Sequence, residues 1–487
     1  MKAGAAITIA LLLGACTVGP SYRGPPSGVA SRPSAQGAFA GHSSLGVRED
    51  DLPDHWWMLY EDARLNGLVI RALAANQSLL AAEANMRGAA AVVEQAKGAR
   101  LPTATLAGGA AYAKDGIPTP SRSEFVYSVA GSLTYPVDLF GGIRRGIEAA
   151  EYGSEAAIAA RDATRVVVAA AVTRAYTAAC SANRSYATAE FVLETQKRTL
   201  ETTQRLFNGG RATAFDVTRA RTAVDQSAAL LPGFLSGRQT ALFQVGALLG
   251  GPPQDYPKDL ERCEAPPTLT QPIPIGDGAA LLRRRPDIRE AERRLAAATA
   301  TIGVSVAKLY PQITLGGAAS STAPFSLAGT ENSLGFSIGP LVTWQFPNLV
   351  VVRAEIAQAG AAADQAAAQF EATIIAALQQ TETALAVYAR QIESVAALER
   401  ASADAGEANT QAHRLYLFGR TDFINVLTSE AALATANESL SQSQAQLVED
   451  QVALFQALGG GWQSESARDA RAHDLVRHDV APLFRGR

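Results

Sequence analysis

The sequence has 487 residues, of which 47% are hydrophobic and 18% are charged, so it contains enough apolar side chains for a large core. Its 43 basic and 46 acidic residues give a net charge of -3, which argues against a nucleic-acid partner and a polybasic membrane patch. Aromatic residues make up only 7%, and Ala-rich runs such as 156–171 predict long helices, because Ala has the highest helix propensity.

Residues 1–15 have the pattern of an export signal peptide. Lys2 supplies positive charge, residues 7–13 form a short apolar run, and Leu13-Gly14-Ala15-Cys16 follows. This tetrapeptide resembles a bacterial lipobox, in which the Cys16 thiol receives diacylglycerol and becomes the mature N-terminus. Several acyl chains hold a protein firmly on a membrane. The alternative is an ordinary buried cysteine. Thr17 stands where the known inner-membrane retention signal of such lipoproteins has Asp.

Residues 16–55 are rich in Gly, Pro and Ser, which predicts an extended, lipid-anchored tether. The packed body is expected to begin near Trp56. Cys180 lies in an Ala-rich helical run and Cys263 in a Pro-rich connector. The sequence leaves open whether these two cysteines form a disulfide.

The body of the chain reads as a tandem duplication. Residues 100–110 are echoed by residues 308–318, and Gly210-Arg211 is echoed by Gly419-Arg420, both with an offset of about 209 residues. We therefore expect two structural repeats, 56–265 and 266–462, each with a helix, two strands and a long helix pair. A polar segment, 463–487, follows and is expected to be a flexible tail.

Alternation of apolar and polar residues predicts the second strand region in each repeat. In the first repeat, one face carries Phe125, Tyr127, Val129, Leu133 and Tyr135, and the other carries Ser128, Ser132 and Thr134. In the second repeat, one face carries Leu334, Phe336, Ile338, Val342, Trp344 and Phe346, and the other carries Ser337, Thr343 and Gln345. Runs of roughly 10–13 residues match tilted membrane-spanning strands. The edge of a soluble sandwich is the alternative.

These strands are the membrane-spanning elements that the sequence offers. After the signal, no apolar stretch approaches the roughly 20 residues of a membrane helix. Two hairpins give four strands per chain, which is too few to close a barrel. Three chains that pool their strands would form a barrel of about twelve strands with an open lumen.

Two uninterrupted helical patterns follow the strands. The first runs to Phe207 over roughly 65 residues, equivalent to about 100 Å, and the second runs from about residue 348 to Phe418. Each reverses at a Gly-containing turn into a returning helix. We expect long antiparallel helix pairs that coil around each other.

Several motifs in order resemble the outer-membrane factors of tripartite efflux systems, the TolC, OprM and NodT group. The resemblance covers nearly the whole chain. The matching segments are Cys16-Thr17-Val18-Gly19-Pro20-Ser21-Tyr22, Asp138-Leu139-Phe140-Gly141-Gly142, Arg285-Pro286-Asp287-Ile288-Arg289, Ile302-Gly303-Val304, Tyr310-Pro311 and Ala457-Leu458-Gly459-Gly460-Gly461-Trp462.

The resemblance implies a mainly α protein with a membrane β-barrel. In the TolC-like trimer that it implies, four strands per chain form a shared 12-stranded barrel, continued by a long periplasmic α-helical tunnel. The partners would be a periplasmic adaptor protein, an inner-membrane pump driven by protons, and outer-membrane lipid. The lipobox and the tether are more similar to the branch that exports small molecules such as drugs or toxic compounds. A polypeptide secretion duct and a structural periplasmic lipoprotein scaffold remain alternatives.

The turns between the paired helices resemble the family's adaptor-contacting tips. The residues concerned are Gly209, Gly210, Arg211, Gly419 and Arg420. Gly permits a left-handed turn and close approach of another backbone, but these glycines are equally compatible with merely reversing the chain.

The tunnel constriction of relatives matches Tyr416, Asn425 and Thr428 here. Relatives often have acidic residues at the places of the last two, so the resemblance implies a neutral constriction instead of a cation-selective ring. Glu430, Asp422, Asp216 and Arg219 lie nearby in sequence, and solvated helix faces are the expected position for them.

Nothing in the sequence indicates an enzyme, a cofactor or a metal site. The five histidines, His42, His55, His413, His473 and His478, are scattered, and no carboxylate cluster has the spacing of metal ligands. Arg283-Arg284-Arg285 precedes a helix start at Pro286, and we expect these arginines to pair with neighbouring acids such as Glu290 and Glu292.

Overall fold

The computed structural model describes residues 17–24, 28–114, 123–330, 333–344, 346 and 349–462. The predicted signal peptide, Cys16 and the predicted tail lie outside these residues. The described residues group into two compact units. Unit 1 contains residues 17–28, 84–159 and 289–372, and unit 2 contains residues 29–83, 160–288 and 373–462.

The two sequence repeats have the same order of helices and strands, which confirms the internal duplication. The first repeat contains α1 (Ala63–Ala75), α2 (Gln77–Gly98), β1 (Thr103–Lys114), β2 (Ser123–Val137), α3 (Gly142–Asn208) and α4 (Ala214–Leu248). The second contains α5 (Gly278–Arg284), α6 (Pro286–Ala307), β3 (Gln312–Pro324), β4 (Leu334–Thr343), α7 (Leu349–Leu417) and α8 (Phe423–Ala457). Each compact unit takes segments from both repeats.

The four strands form one antiparallel sheet in unit 1, in the order β1-β2-β3-β4. Thr103 pairs with Thr134, Val137 with Ile313, and Gln312 with Thr343, so the hairpin of each repeat joins that of the other through β2 and β3. β2 has 15 residues, somewhat more than predicted, while β4 has 10. Large apolar side chains project from the sheet into open space, with Phe336 and Ile338 each 88% exposed.

The long helices agree with the helical pattern of the sequence. α3 has 67 residues and α7 has 69, so each reaches about 100 Å at about 1.5 Å per residue. The returning helices α4 and α8 have 35 residues each. In the part of the chain that the structure describes, no helix combines the length and apolar character needed to cross a membrane.

The main hydrophobic core lies in unit 2. Trp56 stacks on Phe455 with ring centroids 4.6 Å apart, and Tyr176, Leu242 and Val245 are buried in the same cluster. Full burial of a large apolar side chain contributes about 1.5–3 kcal/mol. The core therefore ties the start of the first repeat to its long helices and to the last helix of the second.

The described part of the predicted tether differs from the extended segment that its composition suggested. Ala35, Phe39 and Leu52 are only 3–4% exposed. Val47–Arg48 pairs in parallel with Ile273–Pro274 to form a small two-stranded sheet. A segment rich in Gly, Pro and Ser favours irregular backbone. A few buried apolar side chains and one strand pairing are nevertheless sufficient to hold this segment against the rest of unit 2.

Cys180 and Cys263 form a disulfide, which answers the question that the sequence left open. The bond joins α3 to the connector between the repeats, across a separation of 83 residues. The side chain of Asn183 adds a hydrogen bond from Nδ2 to the Cys263 carbonyl oxygen at 2.8 Å. Covalent closure of so long a loop lowers the entropy of the unfolded chain.

We predict that replacing both cysteines with alanine lowers the free energy of unfolding by about 2–5 kcal/mol. Denaturant unfolding of the purified protein, followed by far-ultraviolet circular dichroism, measures the change. A thiol reductant should destabilise the wild type and leave the double variant unaffected. Equal stability of the two proteins under oxidising conditions would contradict the prediction.

Candidate functional site

The first helix pair reverses through a Schellman cap at Gly210. The Arg211 N–H donates to the Leu206 carbonyl oxygen at 2.8 Å, and the Gly210 N–H donates to the Phe207 carbonyl oxygen at 2.9 Å. Gly210 has φ +70°, a left-handed conformation that is unfavourable for a residue with a Cβ. Gly209 differs, because a Cβ added there would meet the nearest carbonyl oxygens at an ordinary 3.6 Å.

The second helix pair reverses through the same cap at Gly419. The Arg420 N–H donates to the Leu415 carbonyl oxygen at 2.9 Å, and the Gly419 N–H donates to the Tyr416 carbonyl oxygen at 2.9 Å. Gly419 has φ +66°. Within the described residues, a Cβ added at Gly210 or Gly419 would meet no atom within 4 Å. Both turns therefore project from the chain, and we refer to residues 207–213 and 416–422 as tip 1 and tip 2.

The tips expose large apolar side chains. Phe418 is 80% exposed, Leu417 69% and Phe215, in the first turn after tip 1, 67%. Exposed apolar groups of this size on a turn are typical of a surface that another molecule covers.

The helices that leave the two tips begin differently. Thr213 forms a capping box with Asp216, in which each side chain accepts a hydrogen bond from the backbone N–H of the other residue. At the equivalent positions of tip 2, the Asp422 side chain makes no cap hydrogen bond, and Asn425 Nδ2 donates to Thr421 Oγ1 at 2.7 Å. Both tips therefore have the same backbone turn, but the repeats differ in charge at the two positions where the helices begin.

Tyr416 belongs to a small apolar cluster that joins the two helix pairs near the tips. Its ring lies 5.5 Å from that of Phe423, and Val426 and Ala220 are buried in the same cluster. Burial raises the pKa of Tyr416, and the negative charge of Asp216 raises it further, while Arg211 acts in the opposite direction.

Asn425 and Thr428, the other residues predicted at the constriction, are both exposed on α8. Thr428 Oγ1 donates to the Ile424 carbonyl oxygen at 2.8 Å, within its own helix. Both side chains are neutral and exposed, whereas Tyr416 is half-buried.

Glu430 is buried, so its expected position on a solvated helix face is wrong. It is 4% exposed, and its Oε1 accepts a hydrogen bond from Thr199 Oγ1 at 2.5 Å. His413 Nε2 lies 2.8 Å from the same oxygen. This carboxylate therefore links α3, α7 and α8. Its spacing from Phe423 and Val426 places it on the buried stripe of α8, a signal that the sequence contained.

The other charged residues near the tips match the expectation more closely. Asp422 is exposed, and Arg219 is partly exposed with its guanidinium 5.5 Å from the centre of the Phe215 ring. Asp216 is partly exposed and serves the capping box.

The arginines before α6 do not pair with Glu290 and Glu292, which corrects the sequence prediction. Arg285 binds Asp287 at 2.6 Å and donates to the Ala457 carbonyl oxygen at 2.7 Å, and Arg284 lies 3.8 Å from Asp51. Glu290 and Glu292 pair instead with arginines of their own helix, Arg294 and Arg293. The contacts of Arg284 with Asp51 and of Arg285 with Ala457 join distant segments, which a local pattern does not encode, whereas the other pairs are local.

The first described residues are fixed at the end of β2. The Val18 N–H donates to the Phe140 carbonyl oxygen at 3.2 Å, and Arg145 donates to the carbonyl oxygens of Val18 and Gly19 and to Ser21 Oγ. Gly19 packs so closely on Gly303 that a Cβ at Gly19 would lie 2.5 Å from its Cα. Cys16 itself lies outside the described residues.

In the part of the chain that the structure describes, no group of three or more His, Cys, Asp or Glu side chains could hold a metal ion. His413 contacts Glu430, and His42 lies 3.9 Å from Glu49 on the surface.

Comparison with known proteins gives consistent matches over nearly the whole chain. Nodulation protein T of Rhizobium leguminosarum bv. viciae is 29% identical over 97% of this chain and 96% of that protein. Outer membrane protein OprJ of Pseudomonas aeruginosa is 31% identical over 94% of this chain and 95% of that protein. The toluene efflux pump outer membrane protein TtgC of Pseudomonas putida is 27% identical, with 94% and 95% covered.

Solved structures agree with these matches. The outer-membrane channel OprN has a TM-score of 0.85 at 33% identity, with 92% of this chain and 100% of that chain covered. The outer membrane protein VceC of Vibrio cholerae has a TM-score of 0.76 at 25% identity, with 85% and 100% covered. The profile of the outer membrane efflux protein family matches residues 68–251 and 279–460, one region in each repeat. The chain therefore belongs to the outer membrane efflux protein family, a family of channels of the outer membrane.

Proposed function

We propose that this chain is one subunit of a homotrimeric outer-membrane channel in a tripartite efflux system. The channel would provide passive exit for small molecules delivered by an inner-membrane pump through a periplasmic adaptor. The observation that carries the proposal is an open four-stranded sheet with exposed apolar side chains, in a chain of the outer membrane efflux protein family.

The sheet is incomplete in one chain if it lies in lipid. Its outer strands, β1 and β4, each have one edge without a strand in the described residues. In hydrocarbon, unpaired backbone N–H and C=O groups cost several kcal/mol each. Three copies of the four-stranded sheet would pair all edges in a closed barrel of twelve strands. The exposed Phe336, Ile338 and Leu106 would then face lipid tails.

The relatives support small molecules as the cargo class. Among them are a toluene efflux pump protein and an antibiotic efflux pump protein of Pseudomonas putida, and a pyoverdine export protein of Pseudomonas aeruginosa. For this chain we propose export of small molecules, the chemistry that these relatives share. We also propose an adaptor and a proton-driven pump as its partners.

We further propose that Cys16 is lipid-anchored. The residues that follow it support this assignment, because Val18, Gly19 and Ser21 are held where β2 ends and α3 begins. An acylated Cys16 would thus lie beside the boundary of the strands, at the membrane surface that the barrel implies.

The tips are proposed as the adaptor contact and Tyr416, Asn425 and Thr428 as the constriction. The exposed caps at Gly210 and Gly419 and the apolar side chains beside them support the first role. The exposed, neutral positions of Asn425 and Thr428 are compatible with lining a tunnel without an acidic ring.

We predict that the purified protein runs as heat-modifiable trimers and conducts ions in planar lipid bilayers.

Because the proposed constriction is neutral, Asp422→Asn should leave conductance and its sensitivity to multivalent cations unchanged. Single-channel recording measures both. A soluble monomer without conductance after delipidation would favour a periplasmic scaffold and overturn the channel. Strong cation block that depends on Asp422 would overturn the neutral constriction alone.

We predict that Gly210→Leu and Gly419→Leu abolish efflux while trimers persist. A Cβ in the left-handed conformation costs about 1–2 kcal/mol, which distorts the tip without unfolding the chain. Cellular accumulation of a fluorescent pump substrate, together with gel analysis of trimers, measures the result. Gly237→Ala, at an exposed glycine of α4 outside the tips where a Cβ would meet nothing within 4 Å, is the control and should export normally. Normal export in both leucine variants would show that the tips only reverse the chain.

We predict that cells fed radiolabelled palmitate incorporate label into the wild type but not into Cys16→Ala. The control is the Cys180→Ala, Cys263→Ala double variant, which should remain labelled because its lipobox is intact. Label retained in Cys16→Ala would rule out the anchor.

A further inference from the structure

A groove of about 300 Å³ lies in unit 2 between α3, α4 and α8. It is separate from the proposed tip contact and from Tyr416, Asn425 and Thr428, none of which lines it. Its size is at the lower end of the range for small-molecule sites.

The charge of the groove has one sign. Glu430 and Glu438 are the ionisable residues among the described residues that line it, and no Lys, Arg or His is among them. Ser227, itself buried, and Gln196 contribute further polar groups from α4 and α3. Walls of this kind attract a positively charged ligand.

Two buried oxygens on opposite helices of the groove have no hydrogen-bond partner in the described structure. They are Oε2 of Glu430 and Oε1 of Gln196, on side chains of residues that are 4% and 6% exposed. A buried acceptor without a donor is costly, and a carboxylate oxygen is more costly than an amide oxygen. A ligand with N–H groups could donate hydrogen bonds to both oxygens.

The remaining wall of the groove is apolar. Val192 of α3, Leu230 and Phe234 of α4, and Leu427 of α8 line it together with several alanines. A hard metal ion gains nothing from such a wall, whereas the hydrocarbon part of an organic ion does.

The Glu430 carboxylate is held in place on its other side. Thr199 and His413 contact Oε1, which fixes the carboxylate plane before any ligand arrives. Binding at Oε2 would therefore cost little side-chain entropy.

We propose that this groove binds an organic ammonium ion with an apolar body. Its N–H groups donate to Glu430 Oε2 and Gln196 Oε1, and its hydrocarbon packs on Leu230 and Phe234. The inference does not depend on the proposed efflux, since binding is measured on the purified protein alone.

The test is isothermal titration calorimetry of the purified full-length protein in detergent with phenethylammonium chloride at constant ionic strength. The neutral matched probe is 2-phenylethanol, which has the same ring and chain. The wild type should bind the ammonium ion at least about tenfold more tightly than the alcohol, because only the ion pairs with the carboxylate. Equal affinity for the two probes, or no binding of the ammonium ion, would overturn the proposal.

Variants locate the binding. Glu430→Gln should weaken ammonium binding by at least about tenfold, because the charge is lost. Glu407→Gln, an exposed glutamate on α7 that does not line the groove, should leave the affinity unchanged. Unchanged affinity in Glu430→Gln would overturn the site.

A second pair of measurements covers the case in which Glu430→Gln disturbs the fold. Ala434→Phe keeps Glu430 and its partners but fills the groove, so it should abolish binding while circular dichroism stays native. Calcium chloride is the inorganic probe and should not displace the ammonium ion at equal concentration. Binding that survives Ala434→Phe, or calcium binding in place of the ammonium ion, would contradict an organic-cation groove.

Discussion

The unpaired edges of the four-stranded sheet are the constraint on which the rest of this molecule depends. Among the described residues, one chain forms the inner pairings from β1 to β4, and no strand pairs with the outer edges of those two strands. In lipid such edges are intolerable. Pooling strands between copies, as proposed above, would make the functional object an assembly. The duplication supports that solution, because two equivalent hairpins join through β2 and β3 in a continuous register.

Unit 2 is held together by two different kinds of contact. Around Trp56 and Phe455 the packing is apolar and buried. Along α8 towards tip 2 the contacts between helices become polar. Ser441 meets Ser185 at 2.7 Å, and Asn437 meets Ser402 at 2.6 Å. A hydrogen bond contributes about 0.5–1.5 kcal/mol net, less than full burial of a large apolar side chain. The polar contacts in the middle of α8 therefore stabilise the helix pairs less than the core does, and apolar packing returns near tip 2 around Phe423 and Val426.

Local periodicity accounts for what could be predicted from the sequence. Alternation of apolar and polar residues predicted the strands, and an uninterrupted helical pattern predicted α3 and α7. The repeated Gly-Arg pairs predicted the turns at the tips. Long-range contacts account for the rest. Composition could not show that Phe39 is buried in a core, and spacing could not decide whether Cys180 pairs. Arg285 binds the distant Ala457 carbonyl oxygen as well as its neighbour Asp287. The charge of Glu430 predicted a solvated position, but its spacing from Phe423 and Val426 places it on the buried stripe of α8. The roles of Asn425 and Thr428 remain predictions.

The two Schellman caps affect how a partner would recognise the tips of a trimeric tunnel. Gly210 and Gly419 present the same backbone, so a partner that recognises shape and main-chain groups meets six equal positions. The charges differ between the repeats, because the second repeat has Asp422 in place of Thr213 and Asn425 in place of Asp216. A partner that recognises charge meets two alternating classes of three. In such a trimer, the symmetry of the ring would be sixfold for a partner that binds the backbone and threefold for one that binds the charges.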